Sequence, residues 1–158
     1  MELLEDTLPV ELDAFLQRPL FCFLAAATEE GPRVSPLWFL WDDGAIWIIA
    51  DTEEKSYTDR VERDPRAAIA IVDFDVETGL VQHVGMRGRA TVEPFDEARA
   101  GRLLERYLGE DRADWDRERF GGDWDPKWGL IRFEPETVVA RDQSYEAGPT
   151  AGRSPGDG

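Results

Sequence analysis

Histidine and cysteine are nearly absent from this chain: its 158 residues hold one of each, His83 and Cys22. A single cysteine excludes an intrachain disulfide and a cysteine-rich metal cage. A single histidine excludes a multi-histidine metal centre or a histidine-pair catalyst. No apolar run approaches the roughly 20 residues of a membrane-spanning helix, and the acidic opening from Met1 to Asp13 lacks the basic region of a secretion signal, so a cytoplasmic protein is expected. Positive charge is scarce too: 18 Lys and Arg stand against 34 Asp and Glu, a net charge of -16. That field repels phosphate backbones and anionic lipid heads, which argues against nucleic acid or a membrane as partner. A Gly-rich phosphate loop, a nucleophile elbow and a zinc signature are missing as well. The chain therefore points to chemistry borrowed from a bound cofactor rather than performed by its own side chains.

Enough apolar material is present to build one core. Hydrophobic residues make up 42% of the chain and aromatics 11%, with six Trp, which excludes global disorder and suits a single domain over residues 1–146. Residues 147–158, rich in Gly and Pro, are expected to be a disordered tail. The spacing predicts a short helix over 9–17 and a buried strand over 20–28. Two β-rich runs, 33–41 and 45–50, flank Asp42-Asp43-Gly44 and read as a hairpin. A helix is expected between Asp51 and Arg63, opened by a capping box of Asp51 and Glu54 and closed by Asp64-Pro65. Strands follow over 66–74 and 79–92, the second with Gly85 and Gly88 as bulge candidates. A helix over 95–108, a charged loop with a short helix over 110–127, and strands over 128–134 and 137–140 complete the order. Antiparallel hairpins dominate, so the fold class is α+β, an antiparallel barrel or sandwich with a few peripheral helices.

Two segments carry the features a ligand requires. The strand from Arg33 to Trp38 contains Pro36, which removes a ladder donor and marks an edge, a bulge or a ligand-facing break; the alternative is a proline at a barrel rim with Trp38 filling core. In the second segment, the hydroxyls of Thr52, Ser56 and Thr58 and the cations Lys55 and Arg60 form either an anion-binding set or the solvated face of a cover helix. His83 sits mid-strand on the face opposite Gln82, either ligand-binding or satisfied by its neighbours. Cys22, in an apolar strand with no basic neighbour, reads as an inert buried thiol.

The chain resembles the pyridoxamine-phosphate-oxidase-like, flavin-binding split β-barrel proteins and their deazaflavin-dependent relatives. The resemblance runs from about Leu20 to Gln143. It rests on Phe23-Leu-Ala-Ala-Ala-Thr, Gly31-Pro-Arg-Val-Ser-Pro-Leu-Trp-Phe, the Asp-Asp-Gly turn, Ile-Trp-Ile-Ile, Arg63-Asp-Pro-Arg66, Gly88-Arg-Ala-Thr-Val and Arg132-Phe-Glu-Pro. It implies a split β-barrel and a homodimer with FMN, or alternatively the deazaflavin coenzyme, at the subunit interface. Arg33, Val34, Ser35, Pro36, Leu37 and Trp38 would line the ring, and Ile49, Ala50 and Asp51 would approach ring or phosphate. Lys55, Ser56, Tyr57 and Arg60 would face the phosphate, while His83 and Trp128 would lie near the site, with His83 a possible catalytic group. Two departures stand out: Tyr57 and Arg60 replace a Lys and an Asn common in the family, and Trp38 replaces the basic residue of the true oxidase. The implied function is a flavin- or deazaflavin-dependent oxidoreductase for a small conjugated or aromatic molecule, not a true pyridoxamine phosphate oxidase. The rival is a non-catalytic flavin carrier or a haem binder using His83.

Overall fold

The computed structural model describes residues 1–54 and 57–156. Lys55 and Ser56, two of the expected phosphate-facing residues, lie outside the described residues. In chain order the elements are β1 (Glu2–Asp6), α1 (Leu12–Leu16), β2 (Cys22–Thr28), β3 (Gly31–Leu37), β4 (Leu40–Asp42) and β5 (Ala45–Asp51). Then come α2 (Tyr57–Arg63), β6 (Arg66–Asp75), β7 (Leu80–Glu93), α3 (Glu97–Leu108), a 3-10 turn (Arg112–Asp114), α4 (Arg117–Phe120) and β8 (Trp128–Asp142).

The strands form one sheet in the order β3-β2-β6-β7-β8-β5-β4, with β1 added against β8. Every neighbouring pair on the path is antiparallel. The two edge strands, β3 and β4, are joined by only Trp38 and Phe39, so the sheet must curl until its edges approach. The fold is thus the expected α+β, antiparallel split barrel. The run 33–41 is not one strand: it breaks at Trp38-Phe39, where the chain crosses from one edge to the other. That crossing is gripped from α3. The Phe39 N–H donates to the Tyr107 hydroxyl at 3.1 Å, and the hydroxyl donates to the Leu20 carbonyl at 2.7 Å. The Arg106 guanidinium donates to the carbonyls of Phe39, Leu16 (3.2 Å) and Arg18 (2.7 Å).

The hairpin between β4 and β5 turns on Asp43 and Gly44, both with positive φ (52° and 68°), the backbone that a two-residue loop between right-twisted strands needs. Three other expectations are corrected. β8 is one continuous strand rather than two: its pairing with β7 steps from Gly88↔Pro135 to Arg87↔Thr137, so a bulge at Glu136, next to the proline, is absorbed without ending the strand. Gly88 sits at that shift against the Glu134 carbonyl, with no room for a Cβ. β1 was not foreseen; it pairs parallel with β8, and Glu2↔Thr137 sets its register. The segment after β5 is not helical from Asp51: the Asp51 carboxylate instead accepts from the N–H groups of Glu53 (3.0 Å) and Glu54 (3.2 Å), and the described helix spans Tyr57–Arg63.

Two apolar clusters result. The barrel interior holds Phe15, Phe39, Ile48, Ile71, Met86 and Phe133 among others, nearly all fully buried. A smaller cluster of Leu40, Trp47, Leu103, Leu104 and Leu130 lies under α3 and the segment that follows it. Cys22 belongs to the first, and burial pushes its thiol up to about 12. The thiolate is the reactive form, so Cys22 in the native protein resists Ellman's reagent at pH 8 and reacts fully only in denaturant. Rapid native labelling contradicts this packing.

Candidate functional site

Two cavities meet on β3, at Pro36. β3 pairs only with β2, so its other edge has no strand partner among the described residues, and backbone groups there are available to a ligand.

The first cavity, of about 480 Å³, is polar and is lined by Thr28, Arg33, Ser35, Tyr57, Arg60 and Arg63 from β2, β3 and α2, with Glu29, Glu30 and Asp59 also on its walls. Helix α2 returns over β3 and brings Arg60 to Ser35, to whose hydroxyl the guanidinium donates at 3.0 Å. Burial, and then the nearby charge of Arg33, pulls the Arg60 pKa below its ordinary value, yet a guanidinium remains cationic at neutral pH. Arg63 pairs with Asp59 at 3.2 Å, while Arg33 has no ion-pair partner among the described residues. Two cations held side by side, one of them without an acid, fit a phosphate group.

The second cavity, of about 490 Å³, is walled by Phe21, Trp38, Ile49, Phe120, Trp124 and Trp128, with Pro36 and Leu37 at its β3 side. Trp38 is fixed by stacking on Tyr107, with centroids 4.5 Å apart and planes 3° apart, and stacks more loosely on Phe120 at 6.1 Å. Trp124 packs on Phe95 at 4.9 Å. The hydroxyl of Tyr57 donates to the Ile49 carbonyl at 3.1 Å and ties α2 to β5 between the cavities; burial raises its pKa.

Of the residues expected at the site, Arg33, Val34, Ser35, Pro36, Tyr57 and Arg60 border the polar cavity. Pro36, Leu37, Trp38, Ile49 and Trp128 border the aromatic one. Ala50 is buried in the barrel core. Asp51 lines neither cavity and pairs with Lys127 at 2.9 Å. His83 lines neither; it lies on β7 opposite Val72 and Arg141, with Nε2 3.0 Å from the Gln143 side-chain oxygen. Sequence reasoning missed Arg63, Phe120 and Trp124. For the aromatics a signal was there: Trp115, Phe120, Trp124 and Trp128 recur every four or five residues through an otherwise charged segment.

The Asp51–Lys127 pair closes the root of that segment, because Thr52 also bonds the Lys127 carbonyl through its N–H at 2.9 Å. The hydrogen bond from the Lys127 ammonium holds the Asp51 carboxyl below its usual range, with help from the N–H groups of Glu53 and Glu54. A depressed carboxyl contributes stability that is fully present above the ordinary value of about 3.9 and is lost as pH falls through the folded value. Lys127→Met is therefore expected to move the Asp51 titration upward in carbon-13 NMR. An unchanged titration contradicts the pairing.

A third, apolar groove of about 580 Å³ lies on the outer face of the sheet, along Leu4, Phe23, Ala25, Val34, Gly85 and Val139. Phe23, Val34, Leu4, Val72 and Phe74 are exposed there or on neighbouring strands.

This is a split barrel whose open edge joins a cationic cavity to an aromatic one. The chain belongs to the pyridoxamine 5'-phosphate oxidase family, whose model matches residues 8–142. Among solved structures, a conserved hypothetical protein from Mycobacterium tuberculosis is similar at 22% identity, with 90% of each chain covered and a TM-score of 0.70. An F420 reductase is similar at 20% identity over 84% of this chain and 98% of that one, with a TM-score of 0.57. A haem storage protein from Vibrio cholerae is similar at 17% over 84% and 93%, with a TM-score of 0.58. At these identities the likeness is one of fold. No curated protein matches the sequence.

Proposed function

We propose that the chain is a cytoplasmic, homodimeric oxidoreductase that binds FMN or the deazaflavin coenzyme and acts on a small conjugated or aromatic molecule. The observation that carries this reading is the junction at Pro36: a cation-lined cavity suited to a phosphate opens beside an aromatic cavity suited to a flat ring, along an unpaired strand edge. Arg33, Ser35 and Arg60 would hold the phosphate. Pro36, Leu37, Trp38, Ile49 and Trp128 would hold the ring. A flavin-type group, when bound, supplies hydride transfer. The chain's part is to orient it and to exclude water with Trp38, Tyr107 and Trp128, while the edge of β3 offers backbone hydrogen bonds. The similarity in fold to an F420 reductase supports the deazaflavin variant. Dimer formation is supported by the exposed apolar face around Phe23 and Val34, which a second copy would cover.

A haem carrier is the rival, and the fold of the haem storage protein is its support. Against it, His83 is the lone histidine, it lines neither cavity, and it is engaged with Gln143.

The test is a fluorescence titration of the purified protein with FMN, the deazaflavin coenzyme and haemin, alongside sedimentation velocity. Micromolar quenching by FMN or the deazaflavin, with two chains per particle, is the expected result. Tight binding of haemin alone, or of none of the three, overturns the proposal.

A further inference from the structure

The segment between α3 and β8 is pinned at both ends and loose in the middle. At its start, the Trp115 indole N–H donates to the Gly109 carbonyl at 2.8 Å, and the Arg112 guanidinium pairs with Glu105 of α3 at 3.0 Å. At its end, the Lys127 carbonyl accepts from the N–H and the hydroxyl of Thr52, and the Lys127 ammonium pairs with Asp51 at 2.9 Å. Between these roots, among the described residues, no hydrogen bond or ion pair joins residues 116–124 to the rest of the chain. The bonds there are internal: the Asp116 carboxylate accepts from the N–H groups of Glu118 and Arg119, and the Phe120 N–H donates to the Asp116 carbonyl.

Two rings hold this stretch against the body. Of residues 116–124 only Phe120 and Trp124 are even partly buried. Phe120 lies over Trp38, with centroids 6.1 Å and planes 20° apart, and Trp124 lies against Phe95 at 4.9 Å. Both rings line the aromatic cavity, so the contacts that hold the stretch in place are also the ones that close the cavity on this side. Gly122, between the two rings, has φ 137° and nothing within 4 Å of where a Cβ would stand, so no side chain braces the turn. A stretch with few buried apolar contacts and no hydrogen bonds to the body opens at much lower cost than the whole fold. The facing wall is fixed by contrast: Trp38 stacks on Tyr107, whose hydroxyl is bonded to the Phe39 N–H and the Leu20 carbonyl.

We propose that residues 116–124 are a lid on the aromatic cavity, hinged at the Trp115 and Lys127 roots and latched by Phe120 on Trp38 and by Trp124 on Phe95. A ring enters while the latches are released and is sealed from water when they close. The lid rests on the reading above only in that a ring occupies this cavity.

The test is fluorine-19 relaxation dispersion on the full chain labelled with 5-fluorotryptophan, the six signals being assigned by single Trp→Phe variants. In the free protein, exchange on the microsecond-to-millisecond scale is expected at Trp124, and at Trp38, which senses Phe120 leaving. Flat profiles are expected at Trp115 on the root and at the buried Trp41 and Trp47. Saturating FMN, its binding read separately by fluorescence, should reduce the exchange at Trp124 about fivefold or more. Phe120→Ala should speed tryptic cleavage after Arg117 and Arg119 about tenfold, since cleavage follows the open population, while Cys22 stays closed to Ellman's reagent. A flat profile at Trp124 in the free protein, or an unchanged cleavage rate in Phe120→Ala, overturns the lid. Exchange of equal size at Trp115 overturns the pinned root. FMN that binds and leaves the exchange at Trp124 unaltered overturns the link between the lid and the cavity. If FMN does not bind, it is the cofactor reading that fails, and the free-protein profiles and the cleavage rates still decide the lid.

Discussion

Replacing Arg33 and Arg60 together by alanine lowers the affinity for FMN about a hundredfold and leaves that for riboflavin within about twofold. The two ligands differ only in the phosphate, so the comparison isolates the cationic cavity. Hydrogen bonds to a charged group contribute about 1.5–3 kcal/mol each. Two of them, discounted for the solvent that reaches Arg33, give about 2.7 kcal/mol, which is that factor of a hundred. Arg60 also donates to Ser35, so Arg60→Ala alone disturbs the edge of β3 and is expected to weaken riboflavin slightly. Arg33→Ala alone is the cleaner variant, because Arg33 has no ion-pair partner among the described residues. Equal losses for FMN and riboflavin in that variant would show that the phosphate does not sit there.

The second large effect is on stability. Arg106→Ala is expected to cost about 3–4 kcal/mol and to lower Tm by about 10 °C, since three carbonyls lose a charged donor at once. Those carbonyls belong to Leu16, Arg18 and Phe39, so one side chain joins α1, the turn after it and the crossing between β3 and β4. The guanidinium also lies 4.8 Å from the centre of the Phe39 ring. Its Nε is buried with no hydrogen-bond partner among the described residues, so Arg106→Lys, which omits that atom but keeps a cation, should recover part of the loss. Because the crossing places Trp38 in the aromatic cavity, the alanine variant should also weaken FMN at temperatures where it remains folded. A Tm within 2 °C of the parent, read with the typical shift of about 2–4 °C per kcal/mol for a chain of this size, contradicts this account of the crossing.

The legible part of the molecule was the part written in local chemistry. Asp43-Gly44 fixed the hairpin because two consecutive positive φ values need such residues. The proline in 33–38 pointed to an edge, a bulge or a ligand-facing break, and of these β3 is an edge. Strand β7 followed from alternation, and helix α3 was expected over 95–108; the cap that opens it, the Asp96 carboxylate accepting from the Arg99 N–H at 3.1 Å, went unread. The break at Trp38-Phe39 was not legible, since nothing in Leu37-Trp-Phe-Leu40 punctuates the chain; its cause lies 67 and 68 residues away in Arg106 and Tyr107. β1 was hidden for a similar reason. Glu2-Leu-Leu-Glu-Asp6 has no alternation of its own and becomes a strand only by joining β8.

The site shows the same division. Arg33, Ser35 and Arg60 were singled out from the sequence and the structure brings them together, although 25 residues separate Ser35 from Arg60. Arg63 was overlooked because it closes a charged helix and reads as solvated surface. Phe120 and Trp124 were overlooked because their segment, dense in charge and glycine, looks like an ordinary loop until α3 and β5 give its aromatic rings something to cover. His83, singled out on the strength of its rarity, lies away from both cavities on the outer face of the sheet.

The central claim is that one ligand spans both cavities across Pro36, and a crystal structure of the protein grown with FMN tests it most directly. The account predicts phosphate oxygens within hydrogen-bond distance of Arg33 and Arg60, with the ring against Pro36 and Trp38. A phosphate remote from both arginines, or a ring bound on the outer sheet face beside Phe23 and Val34, would contradict it.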